Sequence, residues 1–312
     1  MRASFRNRIV FVSPEQPIPL DPNAPMPKQR VYFTITSDEP EQQWLVEATN
    51  QIPEYAAFFR SVYMRWAITI NALHVARDRY ASLGENIGLT IGHLEIVDLQ
   101  PEVRPMEIWP SPKAAENCEE SIPLMAAYGL LDLYGAIEEI IFDLYETYLN
   151  HNPLDILKGS EFVALRKLYR ARDNDAAATV AWNEAWASRL EIWRRKKMYD
   201  GLHRVFKSYF ERAGLRRPSW FKLSDIDDWA KTVELIGEIR NLITHGENQV
   251  SQKLADLCTE QPQLGLNYNA GEVLEVELHD LMIVERFFAD IIHTLNECLL
   301  ERAWGPLKQA AA

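Results

Sequence analysis

Ser224-Asp225-Ile226-Asp227 opens, and Glu238-Ile239-Arg240-Asn241-Leu242-Ile243-Thr244-His245-Gly246 closes, the stretch on which the reading of this chain turns. The opening four residues resemble a capping box, in which a short polar side chain satisfies the free amides of a helix start. Trp229, Val233, Ile236 and Ile243 follow at helical spacing, and Gly246 stops the helix directly after His245. An amphipathic helix therefore ends on a guanidinium, an amide and an imidazole.

Asn241 and His245 are four residues apart and share a face, while Arg240 lies about 100° round from Asn241 and reaches the same mouth with its long side chain. These groups suit RNA cleavage that proceeds without a metal. The 2′-hydroxyl must lose a proton, attack its own phosphate and expel the 5′-oxygen. Histidine can take or give that proton near neutrality. Arginine stays charged and offers a fork of donors to the phosphorane oxygens. Asn241 is placed to orient His245 or to hold a phosphate oxygen. One helix carries one histidine, so a two-fold dimer that joins two such helices would complete an acid–base pair. The competing account is a helix C-terminus whose cations complement its dipole.

Outward from this stretch the chain reads as mainly helical. Leu124, Leu131, Tyr134, Ile137, Ile141, Leu144, Tyr145 and Tyr148 form an apolar face after a start at Ser121 and Pro123, ending at Asn150-His151-Asn152-Pro153. Further helices are expected over Phe162–Arg172, along Trp182, Trp186, Leu190 and Trp193, and from Leu202 to Ala213 with Gly214 as cap. Leu264–Tyr268 and Val273–Leu278, separated by Asn269-Ala270-Gly271, read as a β-hairpin, and a long helix follows from Asp280. The Trp182, Trp186 and Trp193 stripe is better read as burial or a protein interface than as a base-stacking platform.

Towards the N-terminus, Ile9–Val12 and Val31–Thr36 are β-like, with six prolines between them. Pro40 opens a helical region carrying Trp44, Leu45 and Ala48. After Pro53 a longer helix carries Tyr55, Phe58, Phe59, Val62, Trp66, Ile70 and Leu73. Leu89–Leu99 suggests a strand, with Gly84, Gly88 and Gly92 as turn and strand residues. Pro101, Pro105, Pro110 and Pro112 look like a boundary. The expected organisation is a small α+β N-terminal domain over 1–112 and a helical bundle with a small β-hairpin over 113–312.

The composition, 47% hydrophobic and 11% aromatic, supports a full core. A net charge of −12 argues against nonspecific coating of nucleic acid. The charge is uneven, because residues 160–222 hold 15 Lys and Arg against 7 Asp and Glu. Within that basic segment Arg194-Arg195-Lys196-Lys197 is the candidate phosphate contact outside the motif, set against an ordinary solvated charge run. Cys118, Cys258 and Cys298 are sparse and unpaired in spacing, as in a reducing compartment. With no signal-peptide core, no bilayer-length apolar run and no metal-binding motif, the expectation is a cytoplasmic protein with no metal and no cofactor. His74, His93, His151, His203, His279 and His293 have no partners at useful spacing.

The Arg240-Asn241-x-x-x-His245-Gly246 run at a helix end resembles the signature of the HEPN (higher eukaryotes and prokaryotes nucleotide-binding) ribonucleases: an arginine, a polar residue, then a histidine a few residues on. The acidic helix Tyr128–Leu149 before it, and the expected hairpin and apolar helix after it, agree with that family. The resemblance covers about 120–150 and 220–303, leaving about 151–219 as a basic helical insertion in a HEPN-like helical domain. It implies a helical bundle, dimerisation across the motif helices, metal-independent endoribonuclease activity and roles in toxin–antitoxin or phage-defence systems, with RNA and an antitoxin or regulatory protein as partners. Some members have lost catalysis and only bind RNA, nucleotide or protein. A further acidic residue on an earlier helix is also implied, and Glu138 and Glu139 both fit that place.

Overall fold

The computed structural model describes residues 30–306. Among them are eight α-helices and one two-stranded antiparallel sheet, so the chain is mainly helical. The expected strand Ile9–Val12 lies outside the described residues.

Two long helices form the spine. Helix α1 (Gln43–Ala81) buries Trp44, Leu45, Ala48, Ile52, Tyr55, Phe58, Phe59 and Val62, spaced by three and four residues. It runs continuously through Pro53, where a new helix was expected. Helix α2 (Ser111–His151) starts with Pro112 in its first turn and the Ser111 hydroxyl bonded to the Ile87 carbonyl at 2.7 Å. The expected start at Ser121 and Pro123 is therefore ten residues inside the helix. The proline breaks no packing there, because α2 lies along α1, and the Ser121 hydroxyl donates back to the Asn117 carbonyl.

Between the two helices stands the sheet: β1 (Gly88–Val97) pairs with β2 (Gln100–Pro110). The expected strand Leu89–Leu99 is present in it. Of the prolines read as a boundary, Pro101, Pro105 and Pro110 belong to β2 and Pro112 to the first turn of α2. Pro105 sits at a register shift opposite Gly92, the kind of bulged edge position where proline is tolerated. Asp98 and Leu99 make the two-residue turn, both with positive φ (50° and 63°), the twist that suits a hairpin.

Helix α8 (Leu278–Trp304) packs against both α1 and α2. At the crossing Gly129 allows the close approach, since a Cβ there would meet Leu281 and Trp66 at 3.0–3.2 Å. Phe288 of α8 is fully buried and meets Phe59 and Tyr134 edge to face. Residues expected in a separate unit before 112 thus contribute α1 to the same buried cluster as the later helices.

Helices α3 (Val163–Ala171), α4 (Ala176–Met198) and α5 (Leu202–Ala213) follow, the last capped by Gly214 in the left-handed region. The Trp182, Trp186 and Trp193 stripe of α4 is buried, as its spacing suggested. Helix α5 puts Leu202, Val205, Phe206, Tyr209 and Phe210 into the core and packs on α2 and α6 (Ile226–His245). Helix α7 (Gln252–Glu260), not anticipated, starts at Ser251, whose hydroxyl caps the Leu254 amide.

Two expected β elements are absent. Val31–Thr36 is extended but unladdered. Its backbone is held by side chains, Phe33 by both ends of the buried Asn296 amide and Ile35 by Thr49. The hairpin expected over Leu264–Leu278 does not form either. Leu266, Tyr268 and Val276 turn into the core, and the segment bonds to the loop after α6 through Val250, Gly271 and Leu274, with a lone bridge between Gln249 and Val273. Alternating apolar residues marked burial here, not a ladder.

Because Phe288 is shared by all three long helices, Phe288→Ala should cost about 3–5 kcal/mol in urea unfolding. A loss below about 1 kcal/mol would mean that α8 is not part of the core.

Candidate active site

Helix α6 is fixed at both ends by its own sequence. Asp225 accepts from the Asp227 and Asp228 amides, and the Asp228 side chain returns a bond to the Asp225 amide, completing the capping box. At the other end Gly246 takes φ 70°, and the Gly246 and Glu247 amides donate to the carbonyls of Ile243 and Leu242. Ile239 and Leu242 are buried, which turns the polar edge of the last turns outward.

On that edge Arg240 is half-buried. Its guanidinium carbon stands 5.7 Å from the centre of the Tyr134 ring on α2, and Nη1 donates to Asn241 Oδ1 at 3.0 Å. Among the described residues Arg240 forms no ion pair within 4 Å. Tyr134 is buried beneath it, close to Gly237, where a Cβ would come within 2.9 Å of the phenol oxygen. One turn along α2, Glu138 feels the Arg240 charge.

The open choice between Glu138 and Glu139 is separated by geometry. Burial raises the Glu138 carboxyl above its ordinary value, Arg240 pulls it back down, Glu139 pushes it up and Arg194 opposes that. Glu139 points to another centre. Its carboxylate takes a 2.6 Å bond from Arg194, which also reaches Glu146 at 2.8 Å and Asp143 at 3.5 Å and lies over the Phe142 ring. Arg194 is therefore a buried structural cation, and its expected role as an RNA contact is withdrawn. Its charge is engaged by three carboxylates on one face of α2. Arg195 and Lys196 are exposed, Arg195 pairs with Glu191, and Lys197 pairs with Asp200.

His245 and Asn241 are exposed, and His245 makes no hydrogen bond among the described residues. The structure thus brings together Arg240, Asn241, Tyr134 and Glu138, and leaves His245 one turn further on, open to solvent. Tyr134 was read in the sequence only as part of an apolar face. The signal that could have found it is Gly237, a glycine inside a helix three residues before the arginine. Next to the site, Glu238 holds α7 in place through Ser251 at 3.1 Å and Lys253 at 3.0 Å. No group of three or more His, Cys, Asp and Glu side chains among the described residues is arranged to hold a metal ion. No described helix is long and apolar enough to cross a membrane.

No protein-family model, no curated protein and no solved structure gives a significant match to the chain.

Two outcomes test these assignments. Arg194→Ala removes the cation that Glu139, Asp143 and Glu146 share and should cost about 3–5 kcal/mol, whereas Lys196→Ala should stay within about 0.5 kcal/mol. Equal losses would refute the separation. For Glu138, a raised folded pKa means that its contribution is favourable below the unfolded value and is lost as pH rises through the folded one. Glu138→Gln should therefore raise the melting temperature at pH 7–8, with the gain shrinking as the pH falls towards about 4.5. A gain that grows on acidification would reverse the sign of the shift.

Proposed function

We propose that the chain is a HEPN-type, metal-independent endoribonuclease acting in the cytoplasm in a toxin–antitoxin or phage-defence context, with RNA as substrate and an antitoxin or regulatory protein as its control. The observation that carries this reading is Arg240: a half-buried guanidinium steered by Asn241, seated on Tyr134 and, among the described residues, with no carboxylate within ion-pair distance. A cation held in that state has unused donors for a phosphate. Glu138, a desolvated carboxyl close by, tunes the arginine's position and field.

In this mechanism Arg240 binds the non-bridging phosphate oxygens, where charge accumulates as the 2′-oxygen attacks. His245 takes the 2′-hydroxyl proton. The 5′-oxygen leaves with a proton from a second imidazole, supplied by His245 of another copy in a homodimer. The products are a 2′,3′-cyclic phosphate and a 5′-hydroxyl. Arg195, Lys196 and Lys197 form the surface that meets the RNA backbone.

A second reading, a HEPN-like module that binds RNA, nucleotide or protein without cutting, is favoured by one feature: His245 is exposed and, among the described residues, is not held by a hydrogen bond. Cleavage of total tRNA and mRNA in EDTA separates the two. Under the first reading the wild type cuts and leaves cyclic phosphate ends, while Arg240→Ala and His245→Ala each lower the rate by about 10²-fold or more. RNA binding that survives His245→Ala, with no cutting by any form, selects the second. A strict Mg²⁺ requirement removes the first.

A further inference from the structure

We propose that the outer edge of β1 is a self-association site that pairs with β1 of a second copy of this chain in antiparallel register. The ribbon packs on the start of α2 and makes no substantial contact with α6, so this proposal stands apart from the chemistry of Arg240 and His245.

The two edges of the ribbon differ. A two-residue turn makes Val97 and Gln100 a hydrogen-bonded pair, so the alternation of an antiparallel ladder directs the amides of Ile96, Leu94 and Gly92 on β1 outward, and likewise positions 101, 103 and 105 on β2. Two of those three β2 positions, Pro101 and Pro105, have no N–H to offer. That edge is blunted in the way natural sheets avoid strand addition. Along β1 no residue is proline, and all three outward positions keep their donor and acceptor.

The faces of β1 also suit a copy of itself. Leu94 and Ile96 project on one face with Val103, and are 67%, 65% and 77% exposed. On the other face lie His93 and Glu95, with Arg104 bonded to Glu95 and Glu102. A two-fold axis at Leu94 keeps Gly92, Leu94 and Ile96 in the ladder. It sets Leu94 against Leu94 of the partner once, on the axis, and Ile96 beside the side-chain-free Gly92 and Glu95 beside His93, each of these twice by symmetry. Shifting the axis to Glu95 would place two like charges directly opposite, and shifting it to His93 would set the two His93 rings against each other and Glu95 against the apolar Ile91. Charge and shape select one register.

The test is sedimentation of the full chain at micromolar concentration. The wild type should sediment at twice the mass of a chain whose β1 edge is blocked, whether or not the α6 helices of two copies also join. Leu94→Pro, which removes the central outward amide, should halve the sedimenting mass while leaving the helical circular dichroism unchanged. In a Cys118→Ser background, Leu94→Cys should form a disulfide-linked dimer under mild oxidation, and a cysteine at exposed Ile68 on α1 should not. This second variant keeps the test sharp should proline disturb the ribbon. A wild type that sediments as one chain overturns the proposal and leaves the edge to a strand of a different protein. So does a dimer that persists in Leu94→Pro and does not cross-link through position 94, since its interface is then elsewhere.

Discussion

Everything in this molecule is arranged around the burial of α2. Once past Ile122 this helix presents apolar residues to α1, α5, α6 and α8, so that one helix is covered on nearly all sides. A helix buried in that way has little room for charge, and the acids that it does carry need a reason to be there. Glu139, Asp143 and Glu146 have one: they converge on Arg194, which enters from α4 and ties the middle of the chain to the spine. A buried cation shared by several carboxylates does little for stability compared with apolar packing. Its effect is on specificity, because α4 can dock in only one place without leaving charge unsatisfied.

Glu138, the next residue round α2, forms no ion pair among the described residues and instead feels the charge of Arg240 from α6. The contrast between adjacent residues is instructive. One glutamate is absorbed by the architecture, and its neighbour is held in a costly position next to a cation that makes no ion pair among the described residues. Groups maintained at a cost beside unused hydrogen-bond donors are where chemistry or binding is usually found.

Much of this was legible in the sequence because helical periodicity is a strong local signal. The bounds of α5, the end of α6, the caps at Gly214 and Gly246 and the buried tryptophan stripe follow from residue spacing and capping chemistry alone, and the capping box of α6, Asp225 with Asp228, lies one residue on from the Ser224–Asp227 stretch that signals it. What failed was non-local. Pro53 and Pro123 look like helix ends, but each lies inside a continuous helix that packs along the other. Val31–Thr36 and Leu264–Leu278 have the alternation of strands, but side chains and a distant loop supply their backbone partners. Arg194 looks like its neighbours Arg195 and Lys196 in a basic run, and only the face of α4 on which it falls separates a core ion from surface charge. At the site, Arg240 and Asn241 could be read directly, while Tyr134 left only an indirect trace across the helices, the glycine at 237 that makes room for its ring.

The asymmetry of the ribbon has a consequence for the size of any assembly built through it. A sheet with two open edges can grow without limit, each added strand exposing a fresh edge, and such growth ends in fibres. Here Pro101 and Pro105 close one side. Once β1 is covered, the strands left at the outside are the proline-bearing ones, so addition terminates after a single step. Two prolines that make poor strand residues by local preference would thus act as chain terminators, turning an adhesive edge into one that can be satisfied only once.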